Sequence, residues 1–270
     1  MTQRRKTIFI TGAASGMGRE TALLFASKGW FVGAFDVDRV GLETLENRIG
    51  SDNGMFAYLD VADRGAFINA VDAFGIVTDG KLDLLFNNAG IGVNGLFDEL
   101  AWDDVMKVIN VNLIGVMIGI HVATPLLKAT PGSLCLTTSS SSAIWGSAGI
   151  AVYSATKHAV RGLTEALSVE LKRYGVRAAD LLPGLIDTPL LPDSLRAMAP
   201  PEGMWRLTPA SAVAEAAWAA YHSEKLHYYV PEELKQFDIQ VTADPEGARE
   251  ERAAMLGIAS PPTYPAHSSC

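Results

Sequence analysis

Short, nearly continuous apolar runs alternate along the chain with longer stretches of helical periodicity. The runs predict strands at Thr7–Ile10, Phe31–Phe35, Met55–Leu59, Leu82–Phe86, Leu134–Thr137, Arg177–Leu182 and Tyr228–Val230. Between them, apolar positions recur at helical spacing over Gly16–Lys28, Val40–Ile49, Ala66–Phe74, Trp102–Leu127, Ala151–Tyr174 and Pro209–His222. Strands that alternate with helices predict an α/β fold with a parallel sheet. Runs that are apolar at every position suit strands covered by helices on both faces. The expected architecture is a doubly wound parallel sheet of about seven strands with helices on both faces.

Start and stop signals support this division. Thr208 followed by Pro209 predicts an N-cap with proline at the first helical position. Gly29 and Gly175 follow predicted helices as C-terminal glycines. No internal stretch marks a domain boundary, so residues 1–270 are expected to form a single dinucleotide-binding and catalytic domain. Residues 190–207, rich in Pro, Met and Leu with weak periodicity, predict a substrate lid. Residues 232–270 form a C-terminal extension, with a charged helix expected over Asp244–Leu256 behind an Asp244 N-cap.

Composition narrows the functional classes. Of the 270 residues, 49% are apolar and 19% charged, which supports a large core and does not suit a disordered chain. The 22 Lys and Arg against 30 Asp and Glu leave a formal net charge of −8. That balance argues against a nucleic-acid partner, which needs basic surface. Two cysteines, Cys135 and Cys270, cannot build a disulfide framework and suit a reducing compartment. The apolar stretch Ile8–Ile10 behind the basic Met1–Lys6 is too short for a signal-peptide core. Leu113–Ala123, which carries His121, falls short of the ~18 residues of a membrane span. A soluble, cytoplasmic protein with no membrane partner is expected. The five histidines show no ligand spacing with Cys or Glu, so no metal is expected.

The first candidate chemistry follows the first strand. Thr11-Gly12-Ala13-Ala14-Ser15-Gly16-Met17-Gly18 links it to the first helix with the spacing G-x-x-x-G-x-G. Glycines there let the backbone approach a phosphate, and the helix N-terminus offers free N–H groups to a pyrophosphate. A glycine-rich turn alone is weak evidence, but this one stands at the strand-to-helix junction that binds dinucleotides. Asp36 ends the second strand, 18 residues beyond Gly18. A carboxylate there accepts the adenosine ribose hydroxyls of NAD and repels the 2′-phosphate of NADP. Its plain alternative is a turn or helix-capping aspartate. Neither Ser15 nor Val37 is basic, although Arg39 lies three residues on.

The second candidate lies on the long fifth helix. Tyr153 and Lys157 are four residues apart and share one helix face. A nearby ammonium favours the ionised phenol, whose ordinary pKa is ~10, and so suits it to acid–base work. A serine hydroxyl from the Ser139–Ser142 run could hold a substrate oxygen. In isolation a Tyr–Lys pair is more often a surface coincidence.

Together these residues resemble the short-chain dehydrogenase/reductase family. The matches are Thr11–Gly18 (TGxxxGxG), Asn87-Asn88-Ala89-Gly90 (NNAG), Tyr153-Ser154-Ala155-Thr156-Lys157 (YxxxK) and Pro183-Gly184, in the family's order and spacing. The resemblance implies a Rossmann-type fold and hydride transfer between a secondary alcohol or ketone and NAD. It implies that Tyr153 is the general acid/base and that Lys157 binds the nicotinamide ribose and lowers the tyrosine pKa. The family's serine, 13 residues before the tyrosine, falls on Ser140, though the Ser139–Ser142 run leaves one or two positions open. Asn112 matches the helix asparagine that supports a proton-relay water; a helix bend or core polar group is its plain alternative, and Asn110 fits less well. For the cofactor, the resemblance implies Gly12, Ser15, Gly16, Met17 and Gly18 at the pyrophosphate, Asp36 at the ribose, and Asp60 and Val61 at the adenine. The backbone of Asn87, Ala89 and Gly90 would line the adenosine ribose. Pro183, Gly184, Ile186 and Thr188 would hold the nicotinamide.

Two other readings remain open at the level of sequence. An NADPH-dependent biosynthetic ketoreductase is disfavoured by Asp36. A non-catalytic dinucleotide sensor would be expected to have lost Tyr153 or Lys157. The candidate substrate walls, among them Phe97, Ile144, Trp145, Ile150, Leu185, Leu190, Leu191, Leu195, Met198, Met204 and Trp205, predict an apolar or aromatic substrate. Arg196 and Arg206 could meet an acid group but read more simply as solvated surface. The broad apolar faces of Trp102–Leu127 and Ala151–Tyr174, and the family resemblance, predict a homodimer or homotetramer.

Overall fold

The computed structural model describes residues 4–258. Cys270, His267 and the end of the C-terminal extension (259–270) lie outside the described residues, as do residues 1–3.

The elements run β1 (Thr7–Thr11), α1 (Gly16–Ser27), β2 (Phe31–Asp36), α2 (Arg39–Ile49), β3 (Gly54–Tyr58), α3 (Arg64–Val77) and β4 (Leu84–Asn87). They continue with α4 (Trp102–Ile109), α5 (Gly115–Lys128), β5 (Leu134–Thr138), α6 (Ala151–Glu170), β6 (Arg177–Pro183), β7 (Ile186–Asp187) and α7 (Asp193–Met198). The last are β8 (Thr208–Pro209), α8 (Ala210–Tyr221), β9 (His227–Val230), α9 (Leu234–Ala243) and α10 (Pro245–Met255). Seven strands form one parallel sheet in the order β3-β2-β1-β4-β5-β6-β9. This is the doubly wound Rossmann-type arrangement expected from the alternating pattern.

Alternation along each strand feeds two apolar layers. Ile8 and Ile10 of β1, with Leu84 and Phe86 of β4, face α1, α2 and α8. Phe9, Leu85 and Cys135 face the other way, toward α3, α5 and α6. There Phe9 stacks on Phe35 with ring centroids 4.0 Å apart and meets Phe74 edge-on. Both faces are thus dry, which is why the strands read as unbroken apolar runs. The chain reverses its winding between β1 and β4, and the crevice outside the strand ends at that point is where ligands bind in such sheets.

The structure corrects or adds detail to the sequence reading at several points. Thr208 does not cap α8; it pairs in β8 with Ile186, and Pro209 occupies the capping position. The helix α9 carries Leu234, Phe237 and Val241 inward on a short apolar stripe that sequence reading passed over. Residues 190–207 contain one short helix, α7, with an exposed surface. The path predicted as one helix over Trp102–Leu127 is continuous but bulges into π geometry at Asn110–Ile114. That path, Trp102–Lys128, is long and apolar enough to cross a membrane by length and composition, unlike the shorter stretch inferred from sequence. Its buried face (Val116, Ile120, Ala123, Leu127) packs in the core beneath the sheet.

Candidate active site

The glycine loop is held by close backbone approach. A Cβ on Gly18 would stand 2.1 Å from the Gly12 carbonyl oxygen and 2.8 Å from Asn88 Nδ2. Gly12 has φ +68°, and a Cβ there would meet the Ala89 backbone at 2.8 Å. The loop is also tied to β4 by hydrogen bonds. Thr11 Oγ1 accepts from the Asn88 and Ala89 amides at 3.0 and 3.1 Å, and Asn88 Nδ2 donates to the Thr11 and Gly12 carbonyls. The Asn88 side chain, to which the motif gives no role, helps bind β4 to the loop. Asn87 points the other way, as successive strand residues must. Its side chain is buried beneath α5, with Nδ2 lacking an acceptor among the described residues and Oδ1 close to Gly119. Only its backbone can face the crevice.

Gly18→Ala is expected to cost about 1–3 kcal/mol, because the obstructing atom is backbone and cannot swing aside. At about 2–4 °C per kcal/mol, thermal unfolding would register the change. An unaltered melting temperature would show that the loop has slack the structure does not.

Asp36 closes β2 with both carboxylate oxygens engaged. Oδ2 accepts from the Ala14 amide and Oδ1 from the Asp38 amide, each at 2.9 Å. The capping role considered for it belongs to Asp38, which accepts from Gly41 at the start of α2. Two backbone bonds leave lone pairs on each oxygen for further donors. Arg39 is stacked 4.3 Å from the Tyr58 ring centroid. Asp60 follows β3 and accepts from Ala62, while Val61 is buried against Gly115. Asp36, Asp60 and Val61 all lie at or beyond the C-terminal ends of β2 and β3.

A second group gathers beyond β5. Ser140 Oγ accepts from the Ser142 amide at 3.0 Å and is near enough to Tyr153 to favour its ionised form. Ser139, fully buried, donates instead to the Lys157 carbonyl at 3.0 Å, so the serine run is divided by geometry. Lys157 is buried, and its Nζ donates to the Thr138 carbonyl at 2.7 Å and lies 5.5 Å from the Tyr153 ring centroid. Burial pushes this ammonium down to about 8. Burial also raises Tyr153 above the ordinary tyrosine value, and Ser140 opposes that rise. Desolvation is the leading influence on the phenol. Asn112 is fully buried in the π bulge. Its Oδ1 accepts from the Ile91 amide and its Nδ2 donates to the Ile91 carbonyl, both at 2.9 Å. It clamps the loop after β4 to the bent helix. Asn110 is exposed.

Two spaces meet at Tyr153. One, about 90 Å³, is lined by Gly12, Ser15, Gly16, Met17, Gly90, Lys157 and Thr188. The other, about 190 Å³, is lined by Ser140, Ile150, Pro183, Gly184, Leu185, Ile186 and Leu190. Met17, Tyr153, Thr188 and Leu190 border both. Of the wall residues expected from sequence, Phe97 and Met198 are exposed, and Ile144 and Met204 belong to the small core beneath α9. Arg161, which sequence reading missed, joins Ala143 beside the serines to Asp238 on α9.

A glycine cradle that no Cβ could share, a carboxylate at the next strand end and a cleft that runs from the glycine loop to Tyr153 and Lys157 fit a dinucleotide. The arrangement is that of a Rossmann-type nucleotide-binding oxidoreductase. A short chain dehydrogenase family model matches residues 6–198, and the chain belongs to the short-chain dehydrogenase/reductase family. It is 39% identical to secoisolariciresinol dehydrogenase of Forsythia intermedia, over 68% of this chain and 67% of that one. It is 36% identical to cyclohexanol dehydrogenase of Acinetobacter sp. (strain SE19), over 69% and 75%. Among solved structures it resembles the 3-ketoacyl-(acyl-carrier-protein) reductase of Brucella melitensis complexed with NADH, with a TM-score of 0.76 and 30% identity over 84% of this chain and 97% of that one.

Proposed function

We propose that this protein is an NAD-dependent oxidoreductase that interconverts a secondary alcohol and its ketone. The observation that carries the reading is Tyr153 at the junction of the two spaces, with Ser140 lining one of them and Lys157 the other. In this reading the glycine loop, Asp36, Asp60, Val61 and the backbone of Asn87, Ala89 and Gly90 hold the adenosine half and pyrophosphate. Lys157, Pro183, Gly184, Ile186 and Thr188 hold the nicotinamide half. Bound there, the nicotinamide accepts or donates the hydride. Tyr153 Oη takes the alcohol proton during oxidation and returns it during reduction. Ser140 Oγ hydrogen-bonds the same oxygen and stabilises charge that develops on it. Lys157 binds the nicotinamide ribose and, with Asn112, passes this proton on to solvent. Asn112 acts by position: it fixes Ile91 and the bulge behind Lys157, and a relay water would be held through that geometry.

Residues 190–207 act as the lid, with Leu190, Leu191 and Leu195 on the substrate space. The walls favour an apolar or aromatic substrate. The exposed Trp102, Ile114, Met117 and Val169 on α4–α6 support a homodimer or homotetramer.

Asp36 directs the cofactor choice to NAD rather than NADP, since its carboxylate would face a 2′-phosphate of like charge. Across secondary alcohols graded by size, kcat/KM with NAD should exceed that with NADP by about tenfold or more. Equal or better use of NADP would overturn the cofactor assignment. Absence of reduction with either cofactor would favour the sensor reading.

A further inference from the structure

The substrate space does not end at Ser140. Through Ser141, Ser142, Ile150, Leu185 and Leu195 it opens into a larger cavity of about 590 Å³. A cavity of this size suits a ligand larger than a simple alcohol. Trp145, Trp205 and Phe237 give it an apolar wall, and Arg252 of α10 is the one ionisable side chain among its described lining residues.

Arg252 differs from the other arginines of this region. Arg196 is paired with Asp187 and Asp193, Arg206 with Glu233, Arg249 with Glu250 and Arg161 with Asp238. The two arginines considered from sequence as acid receptors are thus already neutralised by neighbours. Among the described residues, Arg252 has no carboxylate within ion-pair distance. Its Nε is buried with no acceptor there. Its guanidinium lies 4.9 Å from the Phe237 ring centroid and 6.0 Å from that of Trp205. The rings hold the planar group without satisfying its in-plane donors.

We propose that Arg252 is a specificity-determining residue that receives a carboxylate on the substrate. The substrate class is then a hydroxy acid with an apolar or aromatic body, its carbinol at Tyr153 and its carboxylate at Arg252. This deepens the functional reading above and rests on its placement of the carbinol at Tyr153. Three features favour a carboxylate over a neutral tail. The guanidinium fork matches a carboxylate with two parallel hydrogen bonds. A cavity with apolar walls strengthens that attraction relative to water. The chain as a whole carries a net charge of −8, so an anionic substrate needs a local cation to enter. A purely structural Arg252 would serve only by ring stacking and by meeting the C-terminal end of α10.

The test compares two ligands of nearly equal shape, para-acetylbenzoate and para-acetylbenzamide. Each is titrated calorimetrically into the full chain in the presence of NAD, with which a ketone cannot be reduced. The carboxylate should bind at least about tenfold more tightly than the amide. Arg252→Met should bring the ratio of the two affinities to about one, and Arg252→Lys should recover part of it, because charge is kept but the fork is lost. Equal binding of both ligands by the unaltered protein, no binding of the carboxylate, or an unchanged ratio in Arg252→Met would overturn the proposal. Because binding is read without turnover, failure here is distinct from failure of the oxidoreductase reading. NAD reduction by the corresponding secondary alcohols tests that reading separately.

Discussion

Replacing Tyr153 by phenylalanine should lower kcat by about 10²–10⁴-fold, the range associated with loss of a positioned acid–base group. The change removes one oxygen and keeps the ring that borders both spaces, so dinucleotide affinity should stay within about threefold. That split between turnover and binding is what identifies the phenol as reactive rather than structural. Steady-state kinetics with NAD titration measures both. Near-normal kcat in the variant would remove Tyr153 from the mechanism. The pH profile adds a signed test. Burial holds the phenol above its ordinary value while Ser140 opposes this. Alcohol oxidation needs the ionised phenol, so its rate should climb toward alkaline pH. Ser140→Ala removes the opposing hydroxyl and should move that climb to higher pH. A shift to lower pH would contradict the assigned direction.

The central strands were legible because they are buried on both faces, yet the predicted ends of five strands fall short in a consistent way. In β1, β2, β4, β5 and β6 the structure extends the strand by one residue at its C-terminal end: Thr11, Asp36, Asn87, Thr138 and Pro183. Hydrophobic patterning stops at or before these positions because all but Pro183 are polar, and Thr11 and Asp36 hold the crevice loops by hydrogen bonds. The site is therefore written where the apolar pattern gives out. The motif residues were legible for the same reason, since Gly12, Gly18, Tyr153 and Lys157 break the local pattern at fixed spacings. Asn88 escaped because its function depends on a loop 76 residues away that only the parallel pairing of β1 and β4 brings near. Arg252 escaped because charge on an exposed helix looks like solvated surface until α9 is placed beneath it. The apolar stripe of Leu234, Phe237 and Val241 was too short to announce that helix by itself.

Lys157→Met should abolish most turnover and yet yield a protein at least as stable as the parent at neutral pH. The side chain is 2% exposed, and burial pushes its ammonium from the ordinary 10.5 to about 8. Below pH ~8 the lysine is protonated in both folded and unfolded chains, and the folded state bears a charge-burial penalty of about 3 kcal/mol. Between about 8 and 10.5 the folded chain has released that proton while the unfolded chain keeps it. Unfolding then takes up a proton, so stability rises with pH through this window. Methionine removes the penalty, but it also strips the donor from the Thr138 carbonyl, a loss of about 1–3 kcal/mol. The two nearly offset at pH 7, whereas the pH dependence does not cancel. Across pH 8–10.5 the parent should gain about 3 kcal/mol relative to the variant, with other titrating groups common to both. Urea unfolding at several pH values measures this difference. Parallel stability profiles would mean that Lys157 keeps its ordinary pKa, and the buried ammonium could not then be a strained catalytic group. A diverging profile with turnover lost would show a charge held against the stability of the fold because the reaction at Tyr153 requires it.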